Sequence, residues 1–93
     1  MAKVTIELVG TARILAGQKE ISVTVEEDAI WRDIVAALAQ AVPGLIGQVI
    51  TEDRRALISS YQLNLGGTHF IMDLDKKARL KQGDRISLLE ETC

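Results

Sequence analysis

The sequence predicts an α+β domain in which a mixed sheet of four to five strands packs on one main helix. Two segments near its start alternate apolar and polar residues with a period of two, which is typical of half-buried strands. A longer segment repeats its apolar residues every three to four positions, as an amphipathic helix does. Further alternating segments follow. With 93 residues, the chain is predicted to be one domain, residues 1–93, with a single core between sheet and helix.

The first two strands are predicted at residues 3–9 and 21–26. In the first, Val4, Ile6 and Leu8 share one face and polar residues occupy the other. The second repeats this alternation after a modest loop. Two such strands joined by a loop of this length indicate an antiparallel hairpin.

The main helix is predicted from the change of period that begins at Asp28, which is interpreted as its N-cap. Pro43 and Gly44 end it. Its apolar stripe consists of Ile30, Ile34, Leu38 and Val42, widened by Trp31 and Val35. Because it lies beside this stripe, Trp31 is interpreted as an edge of the core rather than a platform for a ligand.

The remainder of the chain is predicted to complete the sheet. Residues 44–60 are the least periodic and are expected to contain a short helical turn. Residues 61–65 and 69–74 are predicted to form a hairpin around Gly66 and Gly67. Residues 85–89 are predicted to form the last strand. Before it, Gly83 is expected to adopt a backbone angle that other residues resist. The predicted order of elements is two strands, a helix and then further strands. This is the order of the β-grasp, or ubiquitin-like, fold.

Composition excludes several classes of function. One Cys and one His cannot supply the roughly four ligands of a zinc ribbon or an iron-sulfur cluster. A single thiol also precludes an intramolecular disulfide, so a reducing cytoplasm is expected. No apolar run approaches the roughly 18 residues of a membrane span, and no signal-peptide pattern follows Met1. Neither an acid/base pair in a recognisable motif nor a phosphate-binding loop is present, so the protein is not expected to be an enzyme.

Four segments of the sequence follow the order and spacing of one known protein family. Residues 11–17 and the helix opening at 28–38 follow that family's spacing after the first strand. Residues 63–67, Leu-Asn-Leu-Gly-Gly, stand where the family has a strand that enters an Asn-Gly turn, and residues 80–89 match its L-x-x-G-D-x-[VI]-x-[LI] pattern. In these segments the sequence resembles the MoaD/ThiS family of ubiquitin-like sulfur carriers. The resemblance covers nearly the whole chain and implies a β-grasp fold and a small carrier without catalytic activity.

In that family a C-terminal Gly-Gly carboxylate is adenylated and then converted to a thiocarboxylate. The resemblance therefore implies two partners, an adenylating activating enzyme and a sulfur-accepting enzyme of molybdopterin, tungstopterin or thiamin biosynthesis. It implies no bound cofactor and no metal. The candidate carrier tail here is Glu91, Thr92 and Cys93, and Cys93 falls about two residues short of the position expected for the diglycine.

Three interpretations of Cys93 remain open: a frayed last residue, a thiol that carries sulfur as a persulfide, and a residue whose carboxylate is itself activated. The neighbouring Glu90 and Glu91 disfavour the thiolate. The missing diglycine also favours an alternative function, a divergent ubiquitin-like interaction module or enzyme subunit that has lost the carrier tail.

The outward positions of the last strand, Arg85, Ser87 and Leu89, are predicted to bind a partner, together with Lys81. Lys81 and Arg85 belong to a basic run over residues 76–85, interpreted as a solvated face or as a docking patch for an acidic partner near the tail. The run contains no aromatic residue for base stacking, and the net charge of the chain is -2. Nucleic acid is therefore not expected as a partner, and an RNA-associated domain is the weakest alternative.

Overall fold

The computed structural model describes residues 1–58, 61–66 and 69–90, which form one sheet with helices against its inner face. The strands are β1 (Ala2–Leu8), β2 (Glu20–Val25), β3 (Tyr61–Leu65), β4 (His69–Phe70) and β5 (Arg85–Glu90). The helices are α1 (Thr11–Ala16), α2 (Trp31–Ala41) and a 3-10 turn, Pro43–Leu45. The 3-10 turn confirms the helical turn expected after the main helix.

The sheet is mixed, with the strand order β2-β1-β5-β3-β4. β1 pairs antiparallel with β2 and parallel with β5, and β3 pairs antiparallel with both β5 and β4. The parallel pair forms because the chain crosses over the sheet between the two strands. This architecture confirms the predicted α+β fold, with β5 in the centre of the sheet.

The core lies between the sheet and α2, where the alternating residues of the strands meet the apolar stripe of the helix. The largest fully buried side chains are Ile6, Leu8, Ile34, Leu38, Leu45, Ile50, Leu63, Ile86, Leu88, Val4, Val35 and Val49. Trp31 is only 4% exposed and belongs to the same core, which confirms its interpretation as a core residue.

The segment between β1 and β2, expected to be a loop, contains the helix α1. Its end is set by Gly17, which has a left-handed φ of 72° and donates its backbone N–H to the carbonyl oxygen of Arg13 at 3.0 Å. Ala12 is the buried residue of α1, and Ile14 is 80% exposed. The helix was missed because a single buried residue produces no apolar stripe.

Helix α2 begins at Trp31 rather than after Asp28, so the prediction that Asp28 is the N-cap was wrong. Ile30 occupies the N-cap position, and its backbone N–H donates to Asp33 Oδ2 at 2.9 Å. Residues 29–31 are instead bound to the distant segment 76–78. Ala78 N–H donates to the Ala29 carbonyl at 2.9 Å, and Trp31 N–H donates to the carbonyl of residue 76 at 3.1 Å. Because residues 29–31 are held in this long-range pairing, α2 begins only at Trp31.

The predicted hairpin strand 69–74 is shorter in the structure. β4 ends at Phe70, although Ile71 N–H still donates to the Leu63 carbonyl at 2.9 Å. The chain then crosses towards α2, where Arg32 connects two loops. Arg32 Nε donates to Asp75 Oδ1 at 2.6 Å, and Nη1 donates to the Arg55 carbonyl at 2.8 Å.

The ion pair between Arg32 and Asp75 makes the free energy of unfolding depend on pH. The hydrogen bond from Arg32 lowers the pKa of Asp75 below its ordinary value of 3.8. A carboxyl whose folded pKa is depressed stabilises the fold above its unfolded pKa and loses that contribution as pH falls through the folded pKa. We expect Asp75→Asn to lower the melting temperature at neutral pH, and the difference from wild type to shrink below about pH 3.8.

Thermal melts followed by circular dichroism between about pH 2 and 7 measure this difference. Glu52→Gln removes an exposed acid from another loop and serves as the control. A deficit of Asp75→Asn that stays constant across the whole range would contradict the assignment to this ion pair.

Candidate functional site

The last strand leaves the sheet at Glu90, beside the end of β1 and the start of α1. Thr11 Oγ1 donates to Glu90 Oε1 at 3.3 Å, and Glu90 is paired with Tyr61 of β3. We call Gly10, Thr11, Tyr61 and Glu90 the exit edge. The candidate carrier tail, Glu91, Thr92 and Cys93, lies outside the described residues.

Gly10 allows the close approach at the exit edge. Its φ of 61° and ψ of -135° lie in a region that other residues rarely adopt. A Cβ at this position would lie 3.0 Å from Glu90 Oε1. Any larger residue would therefore be strained and would push against the Glu90 side chain.

We expect Gly10→Ala to destabilise the fold by about 1–3 kcal/mol, because the backbone would be strained in the folded state. Urea titration at neutral pH measures the change. Gly44→Ala is the matched control, since its nearest contact would be the Leu15 carbonyl at an ordinary 3.8 Å. Equal effects of the two substitutions would contradict the proposed strain at Gly10.

The face of the sheet opposite α2, here called the outer face, has two different halves. The register places one residue from each strand in a row across it: Glu20, Glu7, Ser87, Asn64 and Phe70. The β2–β1 half is polar and charged, and the β3–β4 half carries apolar groups. β5 lies at the boundary between them.

Arg85 lies in the polar half and is already engaged by two carboxylates. Its Nε donates to Glu7 Oε1 at 2.8 Å, and its Nη2 donates to Glu20 Oε2 at 2.8 Å. The hydrogen bonds that the Arg85 guanidinium donates to Glu7 and Glu20 raise the pKa of Arg85 above its ordinary value. The charge of this candidate partner-binding residue is thus largely compensated within the sheet.

Leu89 lies in the apolar half, next to the exit edge. With Gln62, Phe70 and Glu90 it lines a cleft of about 160 Å³. Phe70 is 50% exposed and Met72, beside it in the chain, is 82% exposed. We call the surface formed by Phe70 and Leu89, with the side chain of Gln62 next to them, the apolar patch. Exposed large apolar groups grouped on one face are typical of an interaction surface.

Ser87 and Asn64 connect the two halves of the outer face. Ser87 is half-buried and is paired with Asn64 in the neighbouring strand. Asn64 is only 2% exposed, and its Oδ1 has no hydrogen-bond partner in the described part of the chain. The centre of the outer face is thus tightly covered, whereas the patch beside it is accessible.

Lys81 lies at the opposite end of β5 from the exit edge. Its backbone N–H donates to Asp84 Oδ2 at 2.8 Å in the turn that precedes Arg85. Residues 76–78 of the basic run lie beside the start of α2. Lys81 and residues 76–78 therefore do not adjoin Glu90, and the tail near which the run was expected lies outside the described residues.

The four candidate partner-binding residues thus fall in three places: Leu89 in the apolar patch, Ser87 and Arg85 across the outer face, and Lys81 at the far end. Phe70 was not among the candidates, because the two residues of β4 are too few to show an alternation. His69 is exposed. Within residues 1–58, 61–66 and 69–90, no group of three or more His, Cys, Asp or Glu side chains could hold a metal ion. The helices in these ranges are too short or too polar to cross a membrane.

No family model matches the sequence, and no curated protein matches it either. Solved structures do resemble it. SAMP1, a small archaeal modifier protein of Haloferax volcanii, superposes with a TM-score of 0.81 at 23% identity, covering 98% of this chain and 97% of that one. The small archaeal modifier protein 1 of Methanosarcina acetivorans superposes with a TM-score of 0.77 at 23% identity, covering 99% and 95%.

A third similar structure is a Pyrococcus furiosus protein proposed to be subunit 1 of molybdopterin converting factor. It superposes with a TM-score of 0.71 at 22% identity, covering 99% of this chain and 100% of that one. All three likenesses extend over essentially the whole chain. They confirm the predicted fold: the chain has the ubiquitin-like β-grasp fold of these proteins.

Proposed function

We propose that this chain is a ubiquitin-like carrier that accepts sulfur at its C-terminal carboxylate and delivers it to a partner enzyme in cofactor biosynthesis. The observation that carries the proposal is the position of Glu90. The central strand β5 ends there, directly beside the exposed apolar patch. A partner that docks on the patch would have the C-terminal segment within reach of its active site.

In this proposal the chain is the substrate of an activating enzyme and does not itself catalyse the reaction. An activating enzyme would transfer AMP from ATP to the terminal carboxylate and release pyrophosphate. A sulfur donor would then displace AMP and leave a thiocarboxylate. The fold would contribute recognition, and we place this exchange in the cytoplasm. One of the similar proteins carries the name of a molybdopterin converting factor subunit, which supports molybdopterin or tungstopterin biosynthesis as the pathway. Thiamin biosynthesis is the second choice.

Intact mass spectrometry tests the proposal. The untagged protein is purified from its native host and measured before and after incubation with host extract, ATP and a sulfide source. We expect a mass gain equal to the exchange of one oxygen atom for sulfur. A gain of one whole sulfur atom would instead indicate a persulfide on Cys93, formed by transfer of sulfane sulfur from a persulfide donor in the extract, which leaves that donor as a thiol.

An unchanged mass, in an extract that thiocarboxylates a control carrier, would contradict the carrier function. It would favour the alternative, a ubiquitin-like interaction module or enzyme subunit, for which the same apolar patch would be the contact surface. A stable stoichiometric complex with a metabolic enzyme, formed without ATP, would then support that alternative.

A further inference from the structure

The outer edge of β2, on the side of the sheet away from the apolar patch, has features of a strand-binding site. β2 is the first strand of the sheet, and in the described part of the chain its only strand neighbour is β1. The pairing with β1 is continuous from Ala2–Val25 to Glu7–Glu20. β2 therefore has no bulge, and it contains neither a proline nor a lysine.

The hydrogen-bonding direction of each β2 residue follows from one contact. Leu8 N–H donates to the Lys19 carbonyl at 2.7 Å, so this pair is a hydrogen-bonded one. Hydrogen-bonded and non-hydrogen-bonded pairs alternate in an antiparallel ladder. The backbone N–H and C=O groups of Ser22 and Thr24 must consequently point away from β1, to the outside of the sheet.

Natural sheets usually protect such an edge with charges, prolines, bulges or a covering segment. Here the edge strand has one charged residue, Glu20, at its first position. The other edge of the sheet, β4, is protected by being only two residues long. An unprotected six-residue edge is a template for another strand, because its outward N–H and C=O groups can pair with one.

A groove beside the end of β2 would receive the side chains of an added strand. It has a volume of about 350 Å³ and lies between β2 and the first turns of α2. Val25, Ala29 and Ala37 form its apolar wall. Three carboxylates, those of Glu26, Asp28 and Asp33, also line it.

The residues that line this groove carry three carboxylates and no Lys or Arg, and the nearest cations in the backbone register are Lys3 opposite Thr24 and Lys77 opposite Ile30. The sequence contains no Lys or Arg from residue 20 to residue 31. Arg32, which follows, is directed to Asp75 in another loop. The N-terminal ammonium lies 3.8 Å from Glu27, and that contact is exposed. A basic ligand would therefore be favoured by charge complementarity.

We propose that β2 and the adjoining groove bind an extended peptide segment of a partner protein. The segment adds to the sheet as a sixth strand next to the five present. It pairs with the outward groups of Ser22 and Thr24, places small apolar side chains in the groove, and carries Lys or Arg next to them. This surface lies away from the apolar patch, so both can be occupied at once, and the proposal does not depend on sulfur transfer.

A random linear peptide library, selected in solution against the full chain, tests the proposal. We expect enriched peptides that combine alternating apolar residues with Lys or Arg. In ¹⁵N spectra they should shift the amide signals of Ser22 and Thr24 and slow their hydrogen exchange. Signals that shift instead around Phe70 and Leu89, or a selection that enriches no peptide, would overturn the proposal.

Two variants separate strand pairing from charge. Ser22→Pro removes an outward N–H without touching the ladder to β1, and edge strands tolerate proline at such positions. We expect it to fold and to weaken peptide binding about tenfold. The double variant Glu26→Lys and Asp28→Lys should lower the affinity for basic peptides and select acidic ones. Glu52→Lys, which is exposed and does not line the groove, should change the affinity less than about twofold.

Self-association is the competing outcome. If two β2 edges pair with each other, sedimentation of the free protein shows a dimer that Ser22→Pro converts to a monomer. That result would overturn the peptide proposal, as would equal affinity of the wild type and Ser22→Pro for the selected peptides.

Discussion

Leu88→Ala is expected to lower the free energy of unfolding by about 3 kcal/mol, because it opens a cavity at the centre of the core. Leu88 is fully buried on the central strand β5, where it is paired with Leu8 of β1 and Leu63 of β3. Both partners are also buried, so few groups could move to fill the space. For a domain of this size the loss corresponds to a fall in melting temperature of about 12–24 °C.

The adjacent position supplies the control. Leu89 has the same side chain on the same strand, but it points to the outer face and is half-buried. We expect Leu89→Ala to cost less than about 1 kcal/mol, since the exposed cleft leaves no closed cavity. Urea unfolding of both variants at neutral pH makes the comparison. Similar losses at the two positions would contradict the assignment of inner and outer faces to β5.

This assignment of faces is the part of the structure that the sequence predicts well. The period-two pattern of residues 85–89 and of the first two strands depends only on local alternation, and burial follows it closely. The stripe of α2 is equally local. Such patterns are reliable because one apolar face must be buried for the element to be stable.

Features that depend on distant residues were predicted poorly. Asp28 has the chemistry of an N-cap, yet the bonds from residues 29–31 to segment 76–78 determine where α2 begins. Similarly, Arg85 was expected to be a candidate contact for a partner, and local alternation cannot show that Glu7 and Glu20 surround it. Those carboxylates are 78 and 65 residues away in the sequence, and only the register of three strands brings them together.

The apolar patch depends on the same kind of information. Leu89 was predicted to face outward, but its neighbour Phe70 belongs to a strand of two residues, which is too short to show a period. Its placement beside Asn64 follows from the register of the hairpin. The sequence therefore predicted one member of the patch and missed the aromatic residue that provides much of its exposed apolar surface.

Phe70→Asp is expected to reduce sulfur acceptance by the chain at least about tenfold, because it places a charge where a docked partner would exclude water. Phe70 is half exposed, so the folded protein should tolerate the substitution with a change of less than about 1 kcal/mol. The measurement is the rate of thiocarboxylate formation in host extract with ATP and sulfide, followed by intact mass spectrometry. Circular dichroism melts of the same preparations establish that the variant is folded.

Phe70→Leu is the matched control, since it keeps an apolar side chain at the same position. We expect it to retain most of the wild-type rate, and the ratio of the two variants then measures the charge introduced into the patch rather than the loss of the ring. Equal rates for Phe70→Asp and wild type would show that the activating enzyme binds another surface. Because the exit edge also carries Gly10 and Thr11, next to the exposed residues of α1, that surface would then be sought on α1, with Ile14→Asp as the first variant to measure.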